Sequence, residues 1–97
     1  VPNRNEFNGA VIVETHTFRL ADGVAEAAFL ATDKEVQETY NADRKGFVRR
    51  TTARGSEGEW IVVVLWASRA DADASAPVPA FDALVVGSDV RRYESLD

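Results

Sequence analysis

The longest uninterrupted apolar run in the chain is Trp60-Ile61-Val62-Val63-Val64-Leu65-Trp66. A strand with one wet face alternates apolar and polar residues, so a continuous Val/Ile/Leu run bracketed by tryptophans predicts a strand covered on both faces. Three other segments alternate. Residues 10 to 20, rich in β-branched and aromatic side chains, put Ile12, Glu14, His16, Phe18 and Leu20 on one strand face. Residues 47 to 54 alternate Phe47, Arg49, Thr51 and Ala53 against Val48, Arg50, Thr52 and Arg54. Residues 89 to 94 set Val90, Arg92 and Glu94 against Arg91, Tyr93 and Ser95. Gly55-Ser56-Glu57-Gly58 reads as a hairpin turn, which makes the second and third strands antiparallel neighbours.

Between the first two strands the period changes. Asp22 is placed to cap a helix over residues 24 to 43, and Gly46 to end it in the left-handed conformation. At 100° per residue, Ala25, Phe29, Val36 and Tyr40 form one stripe, the face assigned to the sheet. Asp33 falls in that stripe, where a carboxylate is costly unless paired or wet. Two readings stand: Thr32 caps a fresh helical start with Glu35 completing a capping box, so that Asp33 meets water, or the helix is continuous and Asp33 points into a pocket. Farther on, Pro77-Val78-Pro79 divides an alanine-rich segment into a short helical turn and a helix over residues 79 to 86, with Phe81, Leu84 and Val85 toward the sheet.

The resulting order of strand, helix, strand, strand, helix, strand is that of an α+β, ferredoxin-like split βαβ fold, a four-stranded antiparallel sheet with two helices on one face. Its first and third strands are central. The apolar run then meets the helices on one side only. An uncovered apolar face of this kind marks an interface, and a second copy stacked on it forms a homodimer.

Composition narrows the function classes. A length of 97 residues, 45% hydrophobic and 28% charged, suits one domain over residues 10 to 97 behind an irregular leader at residues 1 to 9. The chain begins at Val1 and lacks methionine, which implies removal of an initiator or of an upstream segment. The absence of cysteine excludes disulfides, thiolate metal sites and cysteine nucleophiles, and fits a reducing cytoplasm. No segment reaches the length of a membrane span, and a net charge of −5 disfavours nucleic acid and anionic membranes. One histidine among scattered carboxylates is not a recognisable metal-ligand set, and no cofactor is expected.

Three stretches carry a resemblance: Thr15-His16-Thr17-Phe18-Arg19-Leu20, Gly46-Phe47-Val48-Arg49-Arg50, and Glu59 through the apolar run to Ala67-Ser68-Arg69. In order and spacing the chain resembles the dimeric α/β barrels of the antibiotic-biosynthesis-monooxygenase type, over residues 10 to 96. The resemblance implies a ligand cavity between sheet and helices. It does not imply haem degradation, since members with that activity use an Asn on the first strand with a Trp and a His on the second helix. Here the first-strand position is His16, and residues 79 to 86 hold neither.

His16 is the sole histidine, on a strand face with Ile12 and Phe18. An imidazole, which ordinarily titrates near neutrality, serves in an apolar cavity as general base or hydrogen-bond donor, or else as a satisfied core residue. Asp33 strengthens the first reading if it faces His16 and orients the ring. Phe29, Tyr40, Trp66 and Phe81 are the aromatic side chains expected to line the cavity or fill the core. Two function classes follow. One is a small enzyme, cofactor-free monooxygenase-like or isomerase-like, acting on a small hydrophobic or aromatic molecule with His16 and Asp33 as catalytic groups. The other is a non-catalytic dimer that binds such a molecule or has no ligand.

Overall fold

The computed structural model describes residues 11 to 96, so the expected leader lies outside the described residues. Strand β1 (Ile12–Leu20) leads into helix α1 (Glu26–Asp43), followed by β2 (Phe47–Arg54), β3 (Trp60–Trp66), the short helices α2 (Arg69–Ala74) and α3 (Pro79–Asp82), and β4 (Val85–Glu94). The four strands form one antiparallel sheet in the order β2-β3-β1-β4, placing the first and third strands at its centre. This is the ferredoxin-like arrangement, and the sheet is open.

Along β3, Trp60, Val62, Val64 and Trp66 are buried beneath the helices, while Ile61, Val63 and Leu65 are half-buried on the opposite face. Among the described residues, the apolar run is therefore fully covered on one face only. Phe29 of α1 packs against Phe18, Trp60 and Phe81 with ring centroids 5.7, 4.9 and 5.5 Å away. Phe29, Val64 and Trp66 are the largest fully buried side chains, and burial of each contributes on the order of 2 to 3 kcal/mol.

Local chemistry departs from the sequence pattern in several places. Helix α1 begins two residues later than expected, at Glu26, with Ala25 at its N-cap and no side-chain cap, so Asp22 does not cap it. It is continuous through Thr32, which removes the break read from the capping-box pattern. In β2 the register passes from Phe47↔Trp66 to Arg49↔Leu65, making Val48 an extra residue. This bulge puts Phe47 and Arg50 on the same sheet face, against simple alternation. Finally, the helix expected over residues 79 to 86 is a single turn ending at Asp82, and β4 begins at Val85 rather than Asp89.

The early start of β4 depends on pairing with β1 that no local pattern encodes. Val85 and Val86 pair with Leu20 and Arg19, and the register then shifts so that Asp89 opposes Thr17. Gly87, at φ 66°, supplies the left-handed residue of this bulge. Gly46 is needed for two reasons. Its φ is 75°, and a Cβ at that position would collide with the side chain of Asp71 on α2. Helix α1 itself ends at Asp43 with Arg44 as an extended C-cap, so Gly46 is not its left-handed stop; Gly46 turns the chain into β2 and lets α2 pack there.

Candidate functional site

Strand register builds the site. Two adjacent rows cross the helix-facing side of the sheet: Arg50-Val64-Glu14-Arg92, and beside it Thr52-Val62-His16-Val90. Neighbouring strands lie about 4.8 Å apart, and successive rows on one face roughly 7 Å apart. The first row thus places one carboxylate between two guanidiniums, with Thr52 and His16 in the row beside it.

Above these rows the roof is thin. Val36 and Tyr40 of α1, Ala72 of α2, and Phe81 of α3 stand over the floor, joined by the loop Ser75-Ala76-Pro77-Val78. Small side chains and a one-turn α3 leave space that a longer second helix would fill. The result is a cavity of about 300 Å³ whose lining mixes charged side chains, Glu14, Arg50 and Arg92 among them, with apolar ones such as Phe18 and Phe81. Its volume lies at the lower end of the range for small-molecule sites.

Glu14 is buried and accepts from three side chains. His16 Nε2 approaches Oε1 at 2.7 Å, the Trp66 indole donates to the same oxygen at 3.4 Å, and Arg92 Nε donates to Oε2 at 2.7 Å. Burial by itself raises the carboxyl pKa. The hydrogen bonds from His16 and Arg92, the charge of His16, and the Trp66 bond outweigh it and hold Glu14 at about 2. Arg92 is in turn bonded through Nη1 to Asp73 of α2, and its pKa is raised by Glu14 and then by Asp73. An ionised carboxylate can only accept, so the His16 nitrogen facing it carries the proton. Nδ1 has no partner among the described residues, and the half-buried ring lines the cavity.

Of the residues singled out from sequence, His16, Tyr40 and Phe81 line this cavity. Asp33 does not, and it does not meet His16. Its Oδ1 accepts from Arg50 Nη2 at 2.6 Å, and it lies in a shallow groove between α1 and β2. Phe29 and Trp66 are fully buried in the core, with Trp66 reaching the site only through its bond to Glu14. Trp60 and Trp66 face the helices without walling the cavity. Sequence reasoning missed Glu14 as a site residue, and it left Arg50 and Arg92 as strand arginines that either recognise an anion or discourage edge pairing, with no place in the cavity. The available signal was the carboxylate two positions before His16 on an otherwise apolar strand face. Among the described residues no group of three or more His, Cys, Asp or Glu could hold a metal ion, and no helix is long and apolar enough to cross a membrane.

No family model matches the sequence, and no curated protein sequence matches it either. Solved structures do match. A variant of SnoaB from Streptomyces nogalater, a cofactor-independent oxygenase, superposes with a TM-score of 0.76 at 16% identity, over 91% of this chain and 95% of that one. A protein of Caulobacter crescentus provisionally designated an antibiotic biosynthesis monooxygenase gives 0.72 at 18% identity, over 97% of both chains. A conserved protein from Methanosarcina mazei gives 0.74 at 11% identity, over 95% of this chain and 97% of that one. The fold of the chain is that of antibiotic-biosynthesis-monooxygenase-like proteins, the family its motifs resemble, and is the ferredoxin-like fold implied by its order of elements.

Proposed function

We propose that the cavity is the active site of a small cofactor-free enzyme, monooxygenase-like or isomerase-like, in which His16 Nδ1 is the general base for a small hydrophobic or aromatic molecule. One observation carries this reading: the only imidazole stands on the cavity wall with Nε2 fixed at 2.7 Å from a carboxylate kept ionised. Glu14 orients the ring and stabilises the imidazolium formed when Nδ1 takes a proton. Phe18, Tyr40, Val62 and Phe81 offer an apolar bed that excludes water from the anion so produced.

Two outcomes are open to that anion. Return of the proton to a different carbon or oxygen isomerises the substrate without net oxidation. Alternatively, an electron-rich enolate reduces dioxygen directly: a CH2 group becomes C=O, one oxygen atom enters the product, and the other leaves as water. The structural likeness to a cofactor-independent oxygenase supports the second branch. Asp33 serves this site through Arg50 rather than by contact with His16. Pairing of two copies through the open sheet face belongs to the same reading, as does a reducing, cytoplasmic setting for a chain without cysteine.

The Glu14 cluster also supports a non-catalytic reading, because it ties β1, β3, β4 and α2 together whether or not a substrate is present. Deuterium exchange at C1 of 2-tetralone, a two-ring ketone with an acidic C–H, separates the two. The wild-type protein should accelerate exchange, and His16→Ala should lower the catalysed rate by about 100-fold or more. Oxygen uptake during the reaction identifies the oxygenase branch, and exchange without uptake the isomerase branch. Binding of 2-tetralone without exchange or uptake would overturn the catalytic reading in favour of the binding one.

A further inference from the structure

Arg50 is a buried cation that the acid–base chemistry above leaves unused. Its side chain is only 3% exposed, yet it lines the cavity. The guanidinium lies 5.4 Å from the Tyr40 ring and 5.7 Å from the Phe81 ring, both of which also line the cavity. It is held from the groove side: Nη2 donates to Asp33 Oδ1 at 2.6 Å, while Nη1 reaches Gln37 Oε1 and Thr52 Oγ1 only at 3.4 Å.

A guanidinium has five N–H donors, and these contacts engage three. The other two have no acceptor among the described residues. An isolated buried charge is strongly unfavourable, so Asp33 is what allows the arginine to stand there. It also fixes the plane of the fork. Charge-assisted, planar recognition of an oxyanion is the use to which such a side chain is best suited. The other strong cation on the floor, Arg92, is committed to Glu14 and Asp73.

Resting on the reading of the cavity as a small-molecule site, we infer that Arg50 is a substrate-binding residue that selects planar aromatic molecules bearing an anionic oxygen, with Asp33 as its positioning residue. The ring system lies against Tyr40 and Phe81, and the oxyanion takes the free donors of Arg50. The volume of about 300 Å³ suits one or two rings.

The test uses 2-naphthoate and its uncharged isostere 2-naphthamide, titrated calorimetrically into the full chain at about pH 8, above the ordinary imidazole range. Wild-type protein should bind the carboxylate at least about tenfold more tightly than the amide. Because Arg50→Gln alone strands Asp33 and risks unfolding, the decisive variant is the double substitution Asp33→Asn with Arg50→Gln, which removes both charges. It should bind the two probes equally, whereas His16→Ala should keep the preference for the carboxylate. A preference that survives the double substitution, or that is lost with His16→Ala alone, overturns the role of Arg50. Equal binding of both probes by the wild-type chain overturns it while leaving the cavity reading intact. No binding of either probe overturns both.

Discussion

Glu14 is a carboxylate answered by donors from three strands: His16 on its own strand, Trp66 on β3 and Arg92 on β4. Its pKa of about 2, against an ordinary 4.5, means that the folded state holds the proton less readily than the unfolded chain does. The stabilisation is therefore fully present above pH 4.5 and is lost as pH falls through about 2. A shift of this size corresponds to about 3 kcal/mol. In urea unfolding followed from pH 5 down to about 2, wild-type protein should lose that much more stability than Glu14→Gln, whose amide does not titrate. Parallel pH dependence in the two proteins would show that the cluster does not hold the carboxylate ionised. Asp33 shows the other use of a buried acid. It neutralises Arg50 at 2.6 Å and has no part in the His16 cluster.

At the scale of elements, the features legible in the sequence are those whose cause is local. The apolar run gave away β3 because its inward residues are buried by the helices and its outward ones still carry Ile61, Val63 and Leu65. The α1 stripe was readable from Phe29, Asp33 and Val36, which are its buried residues. What could not be read depends on partners distant in the chain. The extra residue Val48 is defined only by the register of β2 on β3, and that bulge is what turns Arg50 inward. The end of α3 after one turn follows from the pairing of Val85 and Val86 with β1. The partner of Asp33 lies 17 residues away on another element, so helical periodicity located the acid but not its cation. The same holds for Glu14, whose arginine is 78 residues distant.

At the scale of the molecule, the helix side of the sheet contains the cavity, and no element among the described residues covers the opposite side. Val13, Ile61, Val63 and Leu65 are half-buried there, and Tyr93 is exposed. A second copy on that face should give twice the chain mass by light scattering. Val63→Lys, at the centre of the face, should raise the dimer Kd by at least about thirtyfold. A monomer at every concentration would refute the pairing. His16 is the single histidine of the chain, so a nitrogen spectrum of labelled protein reports on its ring without assignment. At about pH 8, above the ordinary imidazole range, the ring proton should reside on Nε2, bonded to Glu14, and the Nδ1 resonance should move when 2-tetralone is added. A proton resident on Nδ1, or a ring indifferent to the ligand, would contradict His16 as the general base.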